Sequence, residues 1–141
     1  MTMFINKMRF IFALVIVFIF FSCASTINIG EGLSPAELIQ RAQEASDRNR
    51  YNTALQYYEA LHDRNLSNID LIITAKYGIA FIHYKQKKYQ QSRAELNELL
   101  EYYNTPDAEL LPQQFKVLAQ IVLNSITEKE KLFRPFFMKK E

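Results

Sequence analysis

The spacing of small and aromatic residues through the middle of the chain restricts its fold most. Tyr51, Ala54, Leu55, Tyr58 and Leu61 lie three and four residues apart, an interval that places side chains on one helix face. The pattern returns 38 residues later as Tyr89, Ser92, Leu96 and Leu99. An alanine stands nine residues before each tyrosine, Ala42 before Tyr51 and Ala80 before Tyr89. A small residue on one helix lets a second helix approach, and Tyr or Leu on the second fills the space. Repetition of such a unit predicts an all-α fold of antiparallel helix hairpins.

Local signals place the helices. Ser34-Pro35-Ala36-Glu37 offers a capping serine, a proline at the first helical position and a glutamate that reaches back. Helices are expected over about 35–47, 50–63, 69–86 and 89–103. Asn49 tolerates a left-handed turn, and Asn65 to Asn68 reads as a loop. Thr105-Pro106-Asp107 opens a last helical region. Pro112 forces a kink or a new start there, and Arg134-Pro135 ends the region.

The first 22 residues are of another kind. Lys7 and Arg9 precede an unbroken apolar run of twelve residues, Phe10 to Phe21. A membrane span needs about 20, so the segment reads as a secretory signal peptide. It holds two of the 17 basic residues and none of the 15 acidic ones. The remainder is therefore formally neutral, and no basic stripe suggests nucleic acid. Cys23 is the sole cysteine, so no disulfide forms within the chain. Phe20-Phe21-Ser22-Cys23 resembles the lipobox of bacterial lipoproteins, which implies lipid on Cys23 and a membrane anchor. Without an aspartate after Cys23, the expected place is the outer membrane, facing the periplasm. Residues 23–34, glycine-rich and without apolar periodicity, read as a flexible tether.

The repeat resembles the tetratricopeptide repeat, a helix–turn–helix unit of 34 residues. Ile79 to Tyr89 is especially close to it, and the 38-residue interval implies four extra residues at the front of the third helix. The resemblance implies two repeats, about 35–68 and 73–106, and a capping helix in which Ala119 and Val122 occupy the matching places. The domain is expected over 35–132, followed by an aromatic and basic tail, 133–141. Ala36-Glu37-Leu38 through Leu61 also resembles the opening repeats of the lipoprotein subunit of the outer-membrane β-barrel assembly machinery. That family carries about five repeats, more than this chain can hold.

In tetratricopeptide arrays the first helix of each repeat lines a concave peptide-binding face. The resemblance assigns Ile39, Gln43 and Ser46 to that face in repeat one. It adds Tyr77, Phe81, Tyr84 and Lys85 in repeat two, and Lys116, Gln120 and Asn124 in the last helix. Tyr77, Phe81 and Tyr84 form one stripe, either a binding surface or core beneath the last helix. In the tail, Phe133, Phe136, Phe137 and Met138 cap the array or dock elsewhere, and self-association is an open alternative.

No catalytic, cofactor or metal motif is legible. His62 and His83 stand on different helices without nearby ligand spacing, and His83 reads as a packing residue. Glu95, Glu98 and Glu101 read as a solvated face. The expectation is a non-catalytic, lipid-anchored scaffold for envelope proteins, with a role in outer-membrane protein assembly as one form of it. The alternative is an accessory of periplasmic solute uptake, touching a ligand-binding protein or small ligand through a closed apolar pocket.

Overall fold

A computed structural model describes the backbone of residues 28–137 and the side chains of residues 28–132. Cys23, the segment 1–22 and the tail side chains of Phe133, Phe136, Phe137 and Met138 lie outside the described residues. The described part is all-α, with five α-helices and no strand. They are α1 (Pro35–Asp47), α2 (Tyr51–Arg64), α3 (Ile69–Lys85), α4 (Tyr89–Glu101) and α5 (Gln113–Phe137). Short 3₁₀ turns, Tyr102–Asn104 and Ala108–Leu110, join α4 to α5.

Side chains fix two helix starts. The Glu37 N–H donates to Ser34 Oγ, and the Ser34 N–H donates back to Glu37 Oε2 at 2.8 Å. Asn68 Oδ1 accepts from the N–H groups of Asp70 and Leu71 and opens α3. The two hairpin turns are copies of each other. Asn49 (φ 57°) and Lys87 (φ 63°) are both left-handed. The Arg50 N–H donates to Ala45 O, and 38 residues on the Lys88 N–H donates to His83 O.

The repeat interval has a visible cause. α3 has 17 residues against 13 in α1. Ala80 is preceded by one more helical turn than Ala42, so the extra residues extend the front of α3. Pro112 does mark a new start, with α5 beginning at Gln113. The expected stop at Arg134-Pro135 is corrected, because α5 continues to Phe137. Pro135 stands third from the end of α5, so its missing N–H and its clash with the carbonyl four residues back disturb one bond of a helix that is already ending.

The core has two halves. Leu38, Ala42, Ala54, Tyr58 and Leu61 pack with Ala75 and Ile82 of α3. Leu96, Leu99, Ala119, Val122 and Ile126 pack with Ile73 and Ala80 of α3. Both pairs on α3 are spaced by seven residues, two helical turns, and the pairs are offset by two residues, about 200° around the helix. α3 therefore joins the halves through opposite faces. Ala42, Ala54, Ala80 and Ala119 are each completely buried, as the close approach of helices demands.

The segment before α1 is tied down, which shortens the expected tether. Ile29 and Leu33 pack against the first core half. The Arg64 guanidinium donates to the carbonyls of Ile29 and Gly30 at 3.0 and 3.1 Å. Composition there shows only the lack of periodicity, not this docking.

Candidate functional site

Five rings run continuously along one side of α3. Phe115 of α5 lies 5.3 Å from Tyr77, centroid to centroid. Tyr77 stacks on Phe81 at 5.8 Å, and Phe81 on Tyr84 at 5.9 Å. Tyr84 then meets Tyr89 of α4 at 5.9 Å. These separations suit offset and tilted ring pairs. All five rings are half-buried and flank the second core half. The stripe is thus neither sealed core nor open surface. Burial raises the Tyr77 phenol above its ordinary pKa.

Lysines border the rings. Lys129 Nζ lies 5.3 Å from the Tyr84 centroid and 5.9 Å from that of Tyr89, within cation–π reach. Tyr84, and then Tyr89, raise the pKa of this ammonium, which is exposed to solvent. Lys85 reaches the first hairpin, where Nζ donates to Ser46 Oγ at 2.8 Å and to Ser46 O at 3.2 Å. It also lies 5.6 Å from the Tyr51 ring centroid.

The structure redistributes the rest of the assigned face. Tyr77, Phe81 and Tyr84 do adjoin one another, whereas Lys85 and Ser46 pair with each other at the first hairpin. Ile39 instead packs on the first core half. Lys116 lies over the Tyr103 ring at 5.9 Å, at the α4–α5 junction. Gln43, Gln120 and Asn124 are exposed. Phe115 and Tyr89 were not assigned, because they join the run from other helices. Only their helical patterns were readable, not the crossing that brings them to α3.

A second, polar cluster occupies another side of α3. His83 is buried, with Nδ1 at 2.7 Å from Glu95 Oε2. Gln91 Nε2 lies 3.3 Å from His83 Nε2 and donates to Glu95 Oε1 at 3.1 Å. Lys76 Nζ pairs with Glu98 at 2.7 Å. The solvated-face reading is corrected for Glu95, which is part-buried against His83, while Glu98 and Glu101 are exposed as expected; His83 is buried as a packing residue but has this carboxylate beside it. His62 has Asp63 Oδ1 at 3.0 Å from its Nδ1. His62, Lys76, Ile79, Glu95 and Glu98 line an open concavity of about 260 Å³. Ser92 Oγ, buried nearby in sequence, donates to Ala80 O at 2.8 Å, so its lone proton is already engaged. Among the described residues no group of His, Cys, Asp or Glu could hold a metal ion. None of the described helices is long and apolar enough to cross a membrane.

Comparisons with known proteins add one relative. No family model matches the chain, and no solved structure matches it. The chain is similar to a protein of Treponema pallidum (strain Nichols) described as uncharacterized, 33% identical over 118 residues. The match covers 82% of this chain and 47% of that protein, so the chain spans about half the length of its relative.

Proposed function

We propose that the protein is a non-catalytic, lipid-anchored scaffold of the bacterial envelope, of tetratricopeptide type, that binds other proteins along the α3 ring run. The observation that carries this is the five-ring run, half-buried and bordered by lysines. Rings supply large contact area with few rotatable bonds, which is why they anchor interfaces. The neighbouring cation favours a ligand with both apolar and acidic or carbonyl groups. The anchor rests on the sequence around Cys23 alone, and so does outer-membrane placement. A part in outer-membrane protein assembly is one form of this reading.

The test has two arms. Photo-crosslinkers placed at Phe81 and Tyr84 in intact envelopes should capture a defined partner, and Tyr77→Ala with Phe81→Ala should abolish that capture. The helical circular-dichroism signal must persist, since both rings also flank the core. Undiminished capture by a folded double variant would remove the ring run from the interface. Labelled palmitate should enter the wild-type chain but not Cys23→Ala, and a wild-type chain without label would end the anchor reading.

A further inference from the structure

Among the described residues, the large exposed hydrophobics gather around α5. Leu66 and Ile69 lie at the α2–α3 loop, whereas Leu110, Val117, Leu118, Ile121 and Leu132 lie on α5 or on the turn before it. Single exposed apolar residues are ordinary, but a contiguous stripe marks an interaction site. Val117 and Ile121 are each 54% exposed and stand one helical turn apart, with Leu118 beside them. The corresponding face of α3 carries other helices. α3 meets the first core half through Ala75 and Ile82, and the second through Ile73 and Ala80, two residues earlier in each case. α5 meets the second core half through Ala119 and Ile126, again seven residues apart. Two residues earlier stand Val117 and Asn124, both exposed, with Ile121 between them. Among the described residues, α5 thus leaves uncovered the face that α3 has covered.

Charge restricts what covers it. From Gln113 to Thr127 every exposed residue of α5 is uncharged, and Gln114, Gln120 and Asn124 border the apolar stripe. An acidic or basic partner segment finds no counter-ion there, and a helix lying on a lipid surface needs lysines or arginines along its polar face. Side-chain amides both donate and accept, so a surface bordered by them matches its own copy. The tail does not reach. α5 runs to Phe137, and residues 138–141 extend at most about 14 Å, while Ile121 lies about 24 Å back along the helix.

We propose that this face of α5 binds the same face of a second copy of the chain, antiparallel, with the twofold axis at Ile121. A twofold contact uses one patch twice, so residues equally far before and after the axis meet. Val117 then faces Ser125, and the Gln114 amide donates to the Glu128 carboxylate. A parallel pair would instead set Glu128 against Glu128 and Lys131 against Lys131, both exposed charges that repel their own kind. One helix face is small for an interface, so the dimer is reversible. The contact does not use the ring run and stands or falls without it.

Sedimentation equilibrium of the full chain in neutral detergent, over a concentration series, should show monomer passing to dimer. Ile121→Glu should weaken association about tenfold or more, with the helical signal intact because the residue it replaces is half exposed. V117Q/I121Q, which adds no charge, should weaken it several-fold. Mixing I121E with I121K should restore the dimer, because the axis sets this position against its own copy. Pairing through a shared micelle would respond to none of these changes. In intact envelopes, a photo-crosslinker at Ile121 should give a product of twice the chain mass, whereas Tyr77→Ala with Phe81→Ala should leave that product unchanged. The proposal is overturned if wild type stays monomeric at about 100 µM, or if both variants associate as wild type does. It is also overturned if mixed I121E and I121K stay apart, or if the crosslinker captures only another protein.

Discussion

Replacing Gly78 by alanine is a direct probe of how the two core halves are locked together. Gly78 is buried on α3 with the Tyr58 ring of α2 across it. An added Cβ would lie 2.5 Å from Tyr58 Cε1 and 2.6 Å from its Cδ1 and Cζ. Carbon atoms prefer separations near 3.5–4.0 Å, so the ring must retreat by about 1 Å. Tyr58 is only 8% exposed and packs among Leu38, Ala54 and Leu61, which leaves little room. Overpacking of this kind costs roughly 1–3 kcal/mol. The substitution also relieves a helical glycine, a gain of about 0.8–1.0 kcal/mol. The clash should win by about 1 kcal/mol, lowering the melting temperature by roughly 4–8 °C. Thermal and urea unfolding, followed by circular dichroism, measure this. In a Tyr58→Ala background the ring is gone, so Gly78→Ala should be neutral or stabilising. A raised melting temperature in the wild-type background would refute the steric account, as would equal effects in both backgrounds.

Three further outcomes follow from local geometry. Lys87→Gly should stabilise the chain by up to about 1 kcal/mol, because lysine pays for a left-handed φ of 63° that glycine adopts freely; a lowered urea midpoint would contradict this. Ser92→Ala should change stability by less than about 1 kcal/mol. The loss of one hydrogen bond to Ala80 O is offset by better helix propensity, and urea unfolding checks it. Glu37 has a lowered pKa, chiefly through the Ser34 backbone N–H and then its hydroxyl. A depressed carboxylate stabilises the fold above its unfolded pKa and loses that effect as pH falls through the folded one. The melting-temperature gap between wild type and Glu37→Gln should therefore be widest near neutrality and close below about pH 4; a gap constant with pH contradicts the assignment.

Sequence carried the features whose causes are local. Ser34 and Glu37 cap a helix three residues apart, Asn49 takes the turn that asparagine tolerates, and Pro112 precedes a new helix. The four-residue insertion was legible too, because its effect is a longer α3. What escaped depends on helices crossing. His83 and Glu95 are twelve residues apart on different helices, so no ligand spacing within one helix could reveal their contact. Gly78 reads as a scattered glycine until Tyr58 is brought across it. Arg64 holds Ile29 and Gly30 from 35 and 34 residues away, so a stretch that looks like free tether is partly part of the fold. The ring run was half legible: the α3 members were placed together, but Phe115 and Tyr89 were not.

Whether that run is core or surface is decided by what lies on it. Ile73 and Ala80 give one face of α3 to the second core half, and Ala75 and Ile82 give the opposite face to the first. The His83 cluster takes a third side, leaving the rings the fourth. Of the α5 side chains, Phe115 packs on Tyr77 at one end of the stripe. Along the same helix it is Lys129 that lies over Tyr84 and Tyr89, with its ammonium in water. A long cationic side chain keeps its head hydrated while its stem covers apolar surface, so those ring faces border solvent. Displacing one lysine exposes aromatic area without opening the core. That distinction lets α3 hold the fold together and still keep an aromatic face bordering solvent.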